Sequence, residues 1–111
     1  MSREQRDPHD AVDYIFDNAK IYAKAKAERV YLEEFRKSQK ALLMKRSLEE
    51  TIGAQEREAY AHEDYQKLIK GLQAAVEMEE RLRWELVAAQ TRVEIWRTEQ
   101  ANLRAEGRVT I

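Results

Sequence analysis

The chain has 111 residues, 43% hydrophobic and 37% charged, with three Gly, one Pro, no Cys and a formal net charge of −1. That balance suits one domain of long helices rather than a sheet protein, and two Trp and five Tyr in ordered periodicity argue against a disordered chain. The missing cysteines exclude a disulfide frame and thiolate chemistry, no apolar run reaches the roughly 18 residues of a membrane span, and the polar start Met1–Arg6 leads into no apolar signal region.

Residues 1–7 are expected to form a flexible N-terminal tail. Asp7-Pro8 marks a helix start: Asp7 can cap, and Pro8 suits the first helical position, where no amide partner is lost. The first long helix is predicted over about 8–50, with no Gly or Pro after Pro8. Its apolar stripe, through Val12, Ile15, Phe16, Tyr22, Val30, Phe35, Leu42 and Leu48, drifts instead of holding a strict heptad, which predicts looser packing. Ala19, Ala23 and Ala27 lie at four-residue steps and would let a neighbouring helix approach closely.

Thr51-Ile52-Gly53 breaks the pattern, and Gly53 is the expected C-terminal cap of the first helix. The connection is predicted over about 51–62, with a short helix as an option within Ala54–Ala61. His62-Glu63-Asp64 opens the second long helix, predicted over about 63–106, with carboxylates in its first turn. Gly71 weakens that helix locally without ending it, and residues 108–111 are read as a C-terminal tail. The two helices, near 64 and 66 Å long at about 1.5 Å per residue, match in length and favour an antiparallel hairpin.

The second helix carries the architecture. At heptad spacing its seam reads Tyr65, Leu68, Leu72, Ala75, Glu79, Leu82, Leu86, Ala89, Val93, Trp96, Gln100 and Leu103, nearly all apolar or aromatic. A second set, Trp84, Val87, Ala88, Thr91 and Ile95, recurs at three- and four-residue steps on another side. A hairpin covers only one apolar face, so this second face predicts self-association, with these five residues at the contact.

Glu79 is the charged residue of the seam. A hairpin turning near residue 58 would place it opposite Lys37, and a Glu79–Lys37 pair would fix the register as polar seam residues do in coiled coils. A proton-linked switch at Glu79 is the functional alternative.

Charge is unevenly spread. Residues 1–46 carry +3 and residues 47–111 carry −4, and the window 18–48 holds nine Lys or Arg against three Glu. Arg36, Lys37, Lys40, Lys45 and Arg46 in that window, with Tyr31 and Phe35 close by, are the candidate contacts for nucleic acid or an acidic partner. Lys20, Lys24, Lys26 and Arg29 point to several sides of the helix, so a solvated surface neutralised by the acidic second helix competes with that reading.

No catalytic constellation stands out. The chain has no nucleophile elbow, no phosphate-binding Gly loop and no metal-spaced Cys/His set, and no cofactor or metal is expected. His9 and His62 have no Ser or Cys to pair with, and the Glu-x-x-His pairs of a di-iron bundle are missing. Asp10, Asp13 and Asp17 share one side of a helix and read as solvated carboxylates near its positive end.

The run Gly53-Ala54-Gln55-Glu56-Arg57-Glu58-Ala59-Tyr60-Ala61, then Tyr65, Arg81-Leu82-Arg83-Trp84, Ala88-Ala89 and Ile95-Trp96-Arg97, resembles small helical proteins of tailed bacteriophages. The resemblance spans about residues 12–105, and its most specific words are Arg-Glu-Ala-Tyr and Leu-Arg-Trp. Genes of that kind sit among early genes for recombination and single-strand DNA handling. The resemblance implies an accessory role beside DNA recombination or replication machinery in the cytoplasm of a bacterial host, and it transfers no catalytic residue.

Together these readings predict an all-α, coiled-coil-like helical hairpin that self-associates into a bundle. The expected function is non-enzymatic: a helical interaction module with a homo-oligomer (dimer or higher), a protein partner and single-stranded DNA as candidate contacts, and no membrane. Competing readings are a helical component of virion assembly and an inhibitor of a host protein.

Overall fold

The computed structural model describes residues 7–110, with side chains through Arg108, so the expected tail over Met1–Arg6 lies outside the described residues. The chain is all-α, a helical hairpin of three helices: α1 (Pro8–Arg46), α2 (Ile52–Ala61) and α3 (Glu63–Thr110). Among the described residues there is no strand and no backbone with positive φ. No helix among them is long and apolar enough to cross a membrane.

Local chemistry sets the helix ends. Asp7 accepts the His9 amide on its side chain at 2.8 Å and the Ala11 amide on its carbonyl at 2.9 Å, which satisfies amides of the first turn. α1 stops at Arg46, short of the expected residue 50, because Ser47 leaves the helix. Its amide tightens the last turn onto Met44 O at 3.1 Å, and its hydroxyl donates to Glu58 at 2.5 Å while accepting the Glu49 amide at 3.1 Å.

Gly53 therefore does not cap α1. It lies in the first turn of α2, with no positive φ, and Thr51 is the cap, its side chain accepting the Ala54 amide at 3.1 Å. His62 separates α2 from α3 in extended backbone, and its Nδ1 accepts the Asp64 amide at 3.0 Å. α3 continues through Gly107 to Thr110, past the expected boundary, since a glycine weakens a helix without ending it.

By internal contact the chain forms two compact units, and each is described by itself. The turn unit is Ala23–Glu79, and the terminal unit is Met1–Tyr22 with Glu80–Ile111.

In the turn unit Leu43, Ala59 and Tyr65 form a buried cluster, with Met44 and Ile69 packed against it. All three helices contribute to it, so α2 here is a packing element rather than a loop. Tyr60 meets Tyr65 edge to face, ring centroids 5.2 Å apart. The α1 side of this unit is shielded from water at Ala25, Arg29, Leu32, Arg36, Gln39 and Leu43, a strict heptad row. The expected drift is thus corrected. The apolar letters wander, and the shielded face also takes in Glu33, Phe35, Lys40 and Met44, but its centre line holds the heptad because Arg29, Arg36 and Gln39 occupy seam sites. The α3 side is shielded at Tyr65, Leu68, Leu72, Ala75 and Glu79, as the heptad reading placed them.

In the terminal unit Ala11, Leu82 and Ala89 are buried, and Ile15, Asn18, Tyr22, Leu86 and Val93 are half-buried. Beyond Val93 the expected seam is mostly open: Trp96 is 39% and Leu103 58% exposed, and Gln100 is half-buried. α1 begins at Pro8, and Tyr14 binds Glu85. Six residues of antiparallel travel bring the first turn of α1 level with about residue 91, so later turns of α3 have no α1 residue beside them among the described residues.

Candidate functional site

Every residue of the second apolar set falls on one open side of α3 within the terminal unit. Trp84 is 58%, Ile95 44% and Val87 37% exposed, and Ala88 and Thr91 are exposed between them. At 3.6 residues per turn this side lies opposite the row Leu82, Leu86, Ala89 and Val93 that α3 turns inward. Helical geometry therefore forces the separation: one row cannot be buried in the unit without the other facing out. A shallow groove of about 260 Å³ runs along it, lined by Thr91, Glu94, Ile95, Thr98 and Glu99. The Arg83 guanidinium lies 5.0 Å from the centre of the Trp84 ring and also pairs with Glu80 at 3.2 Å, so it partly screens the indole.

A second apolar groove of about 290 Å³ opens in the same unit, lined by Ile15, Ala19, Tyr22, Arg83, Leu86, Val87 and Gln90. Beside it a depression is lined by Ile15, Phe16, Asp17, Ala19 and Lys20, and Phe16 is 81% exposed. The small side chain of Ala19 leaves this space open, and the close approach expected at the alanine row does not occur, since Ala19, Ala23 and Ala27 are all exposed. Tyr14 ties α1 to α3 here by donating its hydroxyl to Glu85. Burial, that hydrogen bond and the Glu85 charge push the Tyr14 hydroxyl up to about 12.

The candidate cations do not assemble into one face. Arg36 is half-buried on the α1 seam. Lys40 donates to Glu56 at 3.0 Å and lies 4.7 Å from the centre of the Tyr60 ring. Hydrogen bonding to Tyr60 and then to Glu56 raises the Lys40 pKa, and Lys40 in turn lowers that of Glu56. Lys37 reaches Glu34 at 3.5 Å, while Lys45 and Arg46 are exposed. At 100° per residue Lys37, Lys45 and Arg46 spread over about half the helix circumference, so they cannot track one phosphate backbone together.

The register pair is corrected. Glu79 is buried, 6% exposed, and its partner is Arg29 rather than Lys37. Arg29 Nε donates to one carboxylate oxygen at 2.6 Å and a terminal nitrogen to the other at 2.9 Å, and the same guanidinium reaches Glu33 at 3.0 Å. Hydrogen bonding to Glu79 is the main cause raising the Arg29 pKa, so the guanidinium stays charged. The cause of the shift is the turn. α1 ends at Arg46 and α3 begins at Glu63, which centres the hairpin near about residue 54 instead of 58. Moving the centre by about four residues moves the facing position by about eight, from 37 to 29.

Sequence reasoning missed Arg29, Tyr14 and Glu85. Reading the α1 heptad through its polar members would have found Arg29. Nothing in the sequence pattern marks Tyr14 or Glu85. No group of three or more His, Asp or Glu placed to hold a metal ion occurs among the described residues, so Asp10, Asp13 and Asp17 do not converge. No family model, curated protein or solved structure matches the chain.

Proposed function

We propose that this protein is a non-enzymatic helical interaction module that assembles with further copies of itself through the outer side of α3. The observation that carries this is the open row Trp84, Val87, Ala88, Thr91 and Ile95, set opposite a row that the same helix buries. A Trp that is 58% exposed at the head of such a row leaves a large aromatic surface in water, and a second polypeptide removes it. The grooves of the terminal unit are open and lined mainly by carbon, which suits helix packing better than turnover of a small substrate.

The phage resemblance supplies the setting: an accessory factor beside DNA recombination or replication machinery, acting by protein–protein contact. The scatter of Lys37, Lys45 and Arg46 around α1 favours protein over phosphate as the surface it meets.

Sedimentation equilibrium tests the reading. At micromolar concentration the wild-type chain is expected at a multiple of its 13.1 kDa mass. The variant Trp84→Glu/Ile95→Glu is expected at that mass, with helicity unchanged. A wild-type monomer would remove assembly from the account.

A further inference from the structure

Self-association through α3 leaves the direction of pairing open, and the charges beside the apolar row decide it. The row is short: Trp84 opens it, Ile95 closes it, and its midpoint lies level with the peptide between Ala89 and Gln90. Arg81 and Glu99 flank the row on one edge, and Arg83, paired with Glu80 of its own chain, and Glu94, paired with Arg97, flank it on the other, from their positions at 100° per residue. All four residues are exposed.

We infer that two copies pair antiparallel along this side of α3, about a two-fold axis level with Ala89 and Gln90. The inference rests on the assembly reading above and adds its geometry. A two-fold at that level sets Trp84 against Ile95 of the second copy, and Ala88 against Thr91 of the second copy. The large ring therefore meets a smaller aliphatic side chain, and the small residues meet at the centre, where the backbones come closest.

The edges then match in sign, with Arg83 and Glu94 exchanging or sharing their pairs to Glu80 and Arg97. In an antiparallel pair each edge meets its own copy. Arg81 comes beside Glu99 of the second copy, and Arg83 beside Glu94 of the second copy, each within about two residues of level, or roughly 3 Å along the axis. The apolar row and the charges thus share one centre, although neither was used to place the other. Each contact occurs twice by symmetry.

Parallel pairing brings opposite edges together. It places Arg83 beside Arg81 of the second copy and Glu94 beside Glu99 of the second copy, and it sets the two Trp84 rings on one level. These like charges, offset in part where Glu80 comes level with Arg81 of the second copy, and the meeting of two Trp84 rings disfavour that arrangement.

Charge reversal tests the direction on the full chain. Arg81→Glu alone and Glu99→Arg alone each weaken the dimer, on the order of fivefold in Kd by sedimentation equilibrium. The double variant Arg81→Glu/Glu99→Arg returns to within about twofold of wild type. Residues 81 and 99 lie about 27 Å apart along one helix, so the rescue cannot arise within a chain. Since the chain has no cysteine, a second measurement uses single-cysteine variants. Chains with Arg81→Cys, mixed with chains carrying Glu99→Cys and treated with a short bismaleimide, are expected to cross-link to each other and not to themselves. A dimer with no rescue, or with Arg81→Cys chains cross-linking to one another, overturns the antiparallel geometry alone. A monomeric wild type overturns it together with the assembly reading.

Discussion

Arg29 grips both carboxylate oxygens of Glu79, at 2.6 and 2.9 Å, on a residue that is 6% exposed. A buried carboxylate without a partner is costly, and a bidentate guanidinium is the partner that fits it best. The energetic expectation is asymmetric. Removing one partner leaves a charge stranded, whereas replacing both by apolar groups of similar size removes the problem. Arg29→Met is therefore expected to lower the melting temperature, on the order of 5 °C or more, and Arg29→Met/Glu79→Leu to recover most of that loss. Thermal unfolding of the three chains by circular dichroism reads the difference. Equal loss in the single and double variants would mean the pair contributes net stability of its own.

Tyr14 carries a prediction at high pH. Its hydroxyl donates to Glu85 and is pushed from 10.0 up to about 12 by burial and by that carboxylate. A group whose folded pKa is raised contributes stability that is fully present below its unfolded value and is lost as pH rises through the folded one. The wild-type chain is thus expected to lose stability between about pH 10 and 12 relative to Tyr14→Phe, which has no phenol to ionise. Urea midpoints of both chains at pH 8, 10 and 11.5 measure the gap. A constant gap across that range would mean Tyr14 does not hold its proton against Glu85.

How far the fold was legible follows from where polar residues sit. The α3 seam could be read from Tyr65 to Val93 because its members are apolar, apart from one Glu, and period alone locates them. The matching α1 row could not, because Arg29, Arg36 and Gln39 stand at heptad sites and look like surface residues in a hydrophobicity scan. The register failed for a related reason. Glu79 was recognised as needing a cation, but its partner depends on where the hairpin turns. That point was moved by Ser47, which ends α1, and by Ala59, which draws α2 into the core. The outer row of α3 was legible because it stands apart from the seam on the same helix. The Tyr14–Glu85 contact was not, because 71 residues separate the two and neither breaks a local pattern.

Lys40 and Glu56 make a prediction at low pH. Their hydrogen bond, 3.0 Å long, ties α1 to α2 in the turn unit, and Lys40 holds the Glu56 carboxyl below its ordinary value of 4.5. For a carboxyl with a lowered folded pKa, the contribution is present above the unfolded value and disappears as pH falls through the folded one. The stability difference between wild type and Glu56→Gln is expected to hold steady at pH 6–8 and to shrink below about pH 4.5. Both groups are partly open to solvent, so the difference is small and falls further with added salt. Melting curves at several pH values and two salt concentrations would show it, and a difference independent of both would mean the contact is not electrostatic.

Gly71 separates what this chain needs from what a neighbour might. It sits inside α3, exposed, with no positive φ, and a β-carbon built there meets nothing within 4 Å. Nothing in the fold calls for glycine at this position, and glycine inside a helix costs about 0.5–1 kcal/mol relative to alanine. Gly71→Ala is therefore expected to stabilise the chain by roughly that amount, seen as a higher urea midpoint with an unchanged slope. The same substitution should leave the dimer constant untouched, since Gly71 lies well before Trp84 on α3. A stabilised chain whose self-association weakens would place a second polypeptide against the helix at Gly71, and would extend the contact surface beyond the row from Trp84 to Ile95.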